Sequence, residues 1–319
     1  MDRDQKINQL RGIINSNLLH LIDNDYVLWD LPYYPNIGDV LIWNGTEEFL
    51  KASGKKCLGR SSFRTCSFED LSPNTIILLQ GGGNWGDVWH EHHNFRKKVI
   101  ERYPNNRIII FPQTVFYKDK NKLIADAKIF GEHKYLTICA RDKQSLFLLS
   151  SCFKNTLLLV PDMAFFIDLP QYKSSTKKVL LLKRSDKELS QHDSTLVKVL
   201  NRERNVDIHD WPTYERNLLI YTILYYGKKF FNLIDKYCHS NICSKWEDLY
   251  HYNIVRKYCL SLGVNFLKQY DKVYSTRLHT AILSVIIGKK VYFINNSYGK
   301  NKQFYDAWLS DLDLIEFYE

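Results

Sequence analysis

No stretch of this 319-residue chain stays apolar for the roughly 20 residues that a membrane-spanning helix needs. The closest run, 218–226, begins behind Arg216 and stops before Lys228 and Lys229, with Phe230 and Phe231 next. It reads first as a buried helix between polar ends. Its basic flanks and aromatics leave a second reading, a helix lying on a membrane surface. Cys-x-x-Cys pairs are also missing. The seven cysteines are odd in number and scattered, which speaks against a zinc ribbon or a disulfide framework and fits a reducing cytoplasm. Residues 1–22 lack the uninterrupted apolar core of a secretory signal and are read as an amphipathic helix of the mature protein. Internal repeats, low-complexity tracts, helix-turn-helix patterns and zinc fingers are absent, and the lysines are dispersed, so nucleic acid is not the expected partner.

What is present is an ordinary globular composition, 45% hydrophobic, in a chain long enough for two domains. A net charge of +9 favours anionic partners without choosing among them. Short apolar runs at 26–30, 75–80, 107–111, 137–140 and 156–160 alternate with helical segments, the pattern of a parallel sheet wrapped by helices. A polar stretch at 169–178 interrupts it. The alternation resumes at 179–183, 206–209, 272–275 and 291–295, around a long helical region from about 213 to 262. The expected fold is therefore α/β: two doubly wound, Rossmann-like domains facing across a cleft, residues 1–172 and 173–301. The tail, 302–319, is helical at first and packs back across the cleft. In such sheets ligands meet the residues just after the strands, and those residues carry the candidate site.

Gly81-Gly82-Gly83-Asn84-Trp85-Gly86 formally satisfies G-x-G-x-x-G. A dinucleotide site also needs an acid at the end of the next strand, where Phe111-Pro112-Gln113 offers none, and Trp85 would crowd the pyrophosphate. What survives is a glycine turn that either packs tightly or aims backbone N–H groups at an anion or a sugar hydroxyl. His90-Glu91-His92-His93 lacks the second histidine of H-E-x-x-H, with Asn94 in its place, and reads as surface residues rather than a metal site. In Asn36-Ile37-Gly38-Asp39, behind Pro32-Tyr33-Tyr34-Pro35, Asp39 either caps a helix or faces the cleft. The charged loop 183–188 follows the first strand of the second half and aims Arg184 at the cleft or into solvent. Ser275-Thr276-Arg277-Leu278-His279 joins a strand to an apolar helix, so Arg277 and His279 share one side while Leu278 turns away. A titratable imidazole beside a fixed cation at a helix N-terminus suits an anion that must also be protonated.

In this order, Asn36-Ile37-Gly38-Asp39, the glycine turn, Arg141-Asp142-Lys143-Gln144-Ser145, Asp162-Met163-Ala164, the 183–188 loop and Arg277-Leu278-His279 resemble the polysaccharide pyruvyl transferase family over nearly the whole chain. Met163 stands where that family often has proline. The resemblance implies a fold similar to the two-domain glycosyltransferase B type, phosphoenolpyruvate as donor, and a saccharide acceptor that is lipid-linked, nucleotide-linked or free. The family's Arg-x-His motif, implicated in donor binding, falls on Arg277 and His279. Phosphoenolpyruvate carries a carboxylate and a phosphate, so a site needs fixed cations, and arginine presents a bidentate fork to each group. Arg277 and Arg184 are assigned to those anionic groups, His279 to proton transfer, and Asp39 and Asn84 to the acceptor. Lys183, Asn36, Gly82, Gly83 and Arg141 complete the substrate-binding set. No step calls for a metal or an organic cofactor. The setting implied is polysaccharide synthesis in the cytoplasm, at the inner face of the membrane.

Two other readings compete. A glycosyltransferase of the same architecture would use a nucleotide sugar, but the 275–294 region is basic or apolar and lacks an acidic pair for the ribose. A non-enzymatic binder of anionic glycans would favour an open surface over a cleft holding Arg277 and His279.

Overall fold

Parallel sheets covered on both faces need strands that are apolar throughout, and two runs, Ile-Ile-Leu-Leu at 76–79 and Val-Leu-Leu-Leu at 179–182, are buried at every position. In the computed structural model, which describes residues 1–173, 178–182, 203, 205–295 and 299–318, they lie within two all-parallel sheets. The first contains β1 (Tyr26–Trp29), β2 (Cys57–Arg60), β3 (Ile76–Leu79), β4 (Gly82–Gly86), β5 (Ile108–Phe116), β6 (Leu136–Ala140) and β7 (Thr156–Leu159). Its order is β2-β1-β3-β5-β6-β7, with β4 pairing β5 beyond β3. The second, β12-β11-β10-β8-β9, contains β8 (Val179–Leu182), β9 (Val206–His209), β10 (Lys272–Ser275), β11 (Lys290–Ile294) and β12 (Ile315–Tyr318). Strand order reverses at β1/β3 and again at β8/β10, and a crevice opens outside the carboxyl ends of strands at such a reversal.

Three strands depart from the sequence expectation. β2 is a partly exposed edge strand without an apolar run, and β12 ends a tail expected to be helical only at its start. β4 replaces the expected glycine turn: β5 runs on through Pro112 and Gln113 to Phe116 and offers its edge to Gly82, Trp85 and Gly86.

Among the described residues the helices are α1 (Arg3–Leu18), α2 (Ile37–Lys51), α3 (His90–Arg102), α4 (Lys120–Gly131), α5 (Lys143–Ser150), α6 (Leu218–Cys238), α7 (Ile242–Tyr250), α8 (Arg256–Leu267), α9 (Leu278–Ile286) and α10 (Lys300–Trp308). Ile7 and Leu10 of α1 and Ile37, Val40 and Leu41 of α2 join one apolar cluster with Leu180, Val273 and Ile282 of the second half. Arg3 also donates to the carbonyls of Ile286 and Leu169. The run expected as a buried helix is the reverse. Of α6 only Ile220 is buried, because α7 and the segment before α6 cover one side and no other described element covers the rest.

α2 meets the 163–166 turn so closely that a Cβ at Gly45 would lie 1.9 Å from the Met163 carbonyl oxygen. Gly45→Ala must push α2 away, and overpacking of this kind costs about 1–3 kcal/mol. Urea unfolding is expected to show that loss, and an unchanged midpoint would contradict the packing described.

Candidate active site

A cavity of about 570 Å³ is lined from both sheets. Its walls are the segments at or just past the strand ends: Tyr34 to Asp39 after β1, Gly83 and Asn84 in β4, Arg141 after β6, Trp211 after β9, Arg277 to His279 after β10, and Lys300 after β11.

Behind the lining residues Arg141 and His279 lies Asp162, whose side chain is 1% exposed. One oxygen accepts the Ala164 N–H at 2.9 Å and so caps the short 3₁₀ turn Met163–Phe166. The other accepts Arg141 Nη1 at 2.7 Å and lies 3.3 Å from His279 Nε2. Burial alone would raise this carboxyl's pKa, but His279, Arg141 and the Ala164 N–H outweigh it and hold the group well below the usual carboxylate range. Arg141 Nε donates to Thr114 Oγ1 at 2.7 Å, and Thr114 donates onward to Asp142 at 3.1 Å. Asp142 caps α5 through the Ser145 N–H at 2.7 Å. Trp308, at the end of α10, donates to the Arg141 carbonyl at 2.7 Å. These bonds fix the guanidinium before any ligand arrives.

His279 Nε2 also lies 3.4 Å from Arg141 Nη1. A guanidinium only donates and a carboxylate only accepts. A protonated Nε2 therefore has Asp162 as its acceptor, and a deprotonated Nε2 has Arg141 as its donor. Either state of Nε2 thus finds a partner. Gly38 brings α2 against the ring: a Cβ there would come 2.7 Å from His279 Nδ1.

Arg277, the residue before α9, is not presented as an open fork. Its Nε and Nη2 bind the two oxygens of Asp210 at 2.7 Å each. Leu278, expected to turn away, lines the cavity too. Asn36 caps α2 by accepting the Gly38 N–H at 3.0 Å, so the cap is Asn36 rather than Asp39. Asp39 lines the cavity and accepts from Asn36 Nδ2 at 2.8 Å and Tyr34 Oη at 2.9 Å. Burial, then the Asp39 carboxylate, keeps the Tyr34 phenol protonated. Gly83 and Asn84 line the wall, Asn84 Oδ1 accepting from Arg96 Nη2 at 2.6 Å, while Gly82 sits behind Asp39. Lys183 and Arg184 lie outside the described residues.

The histidine run corrects the surface reading. His90 and Glu91 are exposed, but His92 is buried against Asp30 and His93 against Asp126, both at 2.6 Å. Arg96 completes the pairing of Asp30 at 2.7 Å. Burial lowers the His93 pKa despite its carboxylate partner.

The structure thus brings together Arg141, Arg277, His279, Asn36, Asp39, Gly83 and Asn84. Sequence reasoning placed Tyr34 and Thr114 in segments just after strands without giving them a role, and did not single out Asp210, Lys300 or the tryptophans Trp89 and Trp211. Asp210 directly follows β9, and the strand-end rule applied to the first half would have found it.

Replacing Asp162 with Asn leaves the buried Arg141 guanidinium without its counter-ion, a loss of about 3–5 kcal/mol. Because the folded carboxyl titrates below its unfolded value, its stabilisation is present above about pH 4 and fades on acidification through the folded pKa. Chemical unfolding of wild type and Asp162→Asn is expected to show a gap at neutral pH that narrows only in acid. No gap at neutral pH would contradict the assignment.

Residues 36–298 match the polysaccharide pyruvyl transferase family. A Bacillus subtilis protein named as a pyruvyl transferase, EpsO, is 33% identical over 92% of this chain and 89% of its own. Pyruvyl transferase 1 of Schizosaccharomyces pombe is 27% identical over 93% and 74%. A crystal structure of an uncharacterized Klebsiella pneumoniae protein superposes over 98% of both chains with a TM-score of 0.62 at 21% identity, a likeness of fold alone. The ordered motifs, the parallel sheets and these matches make this chain a member of the polysaccharide pyruvyl transferase family.

Proposed function

We propose that the protein transfers the enolpyruvyl group of phosphoenolpyruvate to two hydroxyls of a sugar, forming a cyclic ketal and releasing phosphate. The observation that carries this reading is His279, set between Asp162 and Arg141 at the floor of a cavity walled by further cations, in a chain of this family. Proton addition to the vinyl carbon leaves an oxocarbenium-like centre that one sugar hydroxyl attacks. Phosphate departs, the neighbouring hydroxyl closes the ring, and the two hydroxyl protons are taken up by base and phosphate. His279 supplies and recovers the proton. Arg277, Arg141 and Lys300 face the donor's carboxylate and phosphate, and Lys183 and Arg184, next in sequence after β8, are assigned to the same anionic groups. Asp210 then orients Arg277 toward the donor.

We assign the acceptor to the opposite wall, Asn36, Asp39, Gly82, Gly83 and Asn84. The half-exposed indole of Trp89 offers the apolar face of a sugar ring a surface to stack on. We assign the chain to two domains meeting near residue 172, acceptor side first and donor side second, as in the glycosyltransferase B architecture; the two separate parallel sheets support that division. The acceptor is an exopolysaccharide or its lipid-linked precursor, and a lipid-linked precursor would hold the enzyme at the cytoplasmic face of a membrane.

Titrating phosphoenolpyruvate by calorimetry tests the donor site. A charged hydrogen bond is worth about 1.5–3 kcal/mol, so Arg277→Ala and Arg184→Ala are expected to weaken binding by roughly ten- to more than hundredfold. Arg184→Lys should recover only part of its loss, since the charge remains and the fork does not. His279→Ala should retain most donor binding and lose turnover. Equal affinity across these arginine variants would remove them from the donor site, and near-normal turnover by His279→Ala would remove the imidazole from the chemistry.

A further inference from the structure

We propose that α6 seats this protein on the headgroup layer of an anionic lipid bilayer, lying in the plane of the surface. The inference rests on the proposed work at a membrane face and names the surface that reaches it. Leu219, Ile223, Tyr226, Phe230, Leu233 and Tyr237 recur at steps of four and three residues along α6 and are all exposed, Tyr237 by 75%. Leu218, Tyr221 and Tyr225 are exposed beside them. At 100° per residue these side chains sweep an arc of about 200°. A self-pairing coiled coil needs only the narrower seam of its a and d positions.

The charges on this arc choose the occupant. Lys229 and Lys236 are exposed on it, and it carries no carboxylate. The single acid of α6, Asp235, is turned into the α6–α7 junction, where it accepts Ser240 Oγ at 2.6 Å and the N–H groups of Ile242 and Cys243 at 2.8 and 2.9 Å. Two copies packed face to face would bring lysines together with no acid between them. Anionic headgroups meet those lysines while the apolar strip enters the acyl boundary, and the four tyrosines suit the interface between the two. The net charge of +9 adds a long-range attraction of the same sign. Among the described residues no helix is long and apolar enough to cross the bilayer, so α6 lies on it. Trp211, a cavity wall residue, precedes α6 by one short turn, Tyr214–Arg216, which places the membrane surface on the approach to the active site.

Flotation of the purified full chain with vesicles tests this, using phosphatidylcholine alone and phosphatidylcholine mixed with phosphatidylglycerol, without donor or acceptor. The protein should float with the anionic vesicles and stay behind with the neutral ones. Lys229→Gln and Lys236→Gln should each weaken partition roughly fivefold. The double variant Leu219→Glu with Phe230→Glu should lower it by more than tenfold, with unchanged circular dichroism and unchanged phosphoenolpyruvate affinity. Failure of wild type to float, or flotation of the double variant at the wild-type level, overturns the proposal. So does a wild-type dimer in light scattering that the double variant makes monomeric without any vesicle binding. Donor titration on the same samples keeps the two readings apart: vesicle failure with intact donor binding removes only the membrane surface.

Discussion

One buried carboxylate organises the centre of this molecule. Asp162 cannot be hydrated where it lies, and an isolated charge there would be driven to neutralise. Arg141, His279 and the Ala164 N–H keep it ionised. Satisfying that one group ties the end of β6, the turn after β7 and the start of α9 to a single point. The same turn presents the Met163 carbonyl to Gly45, so the placement of α2 depends on it as well. α2 in turn carries Gly38 against the imidazole and Asp39 toward the cavity. His279 is therefore held in place by Asp162, Arg141 and Gly38 of the first half of the chain.

The cations of the cavity are graded by how firmly they are held. Arg141 is locked by Asp162 and Thr114, so it contributes a fixed field more than a new hydrogen bond. Arg277 is bound by Asp210 through Nε and Nη2, which sets the plane of its guanidinium. Fixed donors of this kind stabilise developing negative charge without the reorganisation that water demands. Departure of phosphate in the proposed reaction is a step of that character.

Much of this was legible in the chain, for physical reasons. Strands such as Ile76–Leu79 are buried on both faces and leave an apolar run that nothing else explains. Arg277 and His279 follow a strand and open a helix, and position alone marks them. What escaped depends on partners remote in sequence. Asp210 meets its arginine 67 residues later, and His92 and His93 look hydrophilic until Asp30 and Asp126 are brought to them. β4 was written in glycines and read as a turn, since only the overlong β5 gives that segment an edge to pair with. α6 misled in the opposite sense. Its apolar residues look like core, and only the folded chain reveals that no described element remains to cover them.

Turnover is the test of the proposed transfer of an enolpyruvyl group to a saccharide. Purified protein would be incubated with phosphoenolpyruvate and a panel of lipid-linked and simple glycosides, reading released phosphate beside the mass of each glycoside. Phosphate is expected to be released in step with a glycoside heavier by one ketal-linked pyruvate. Transfer from a nucleotide sugar instead, or phosphate release with no change in any glycoside, would contradict the proposal.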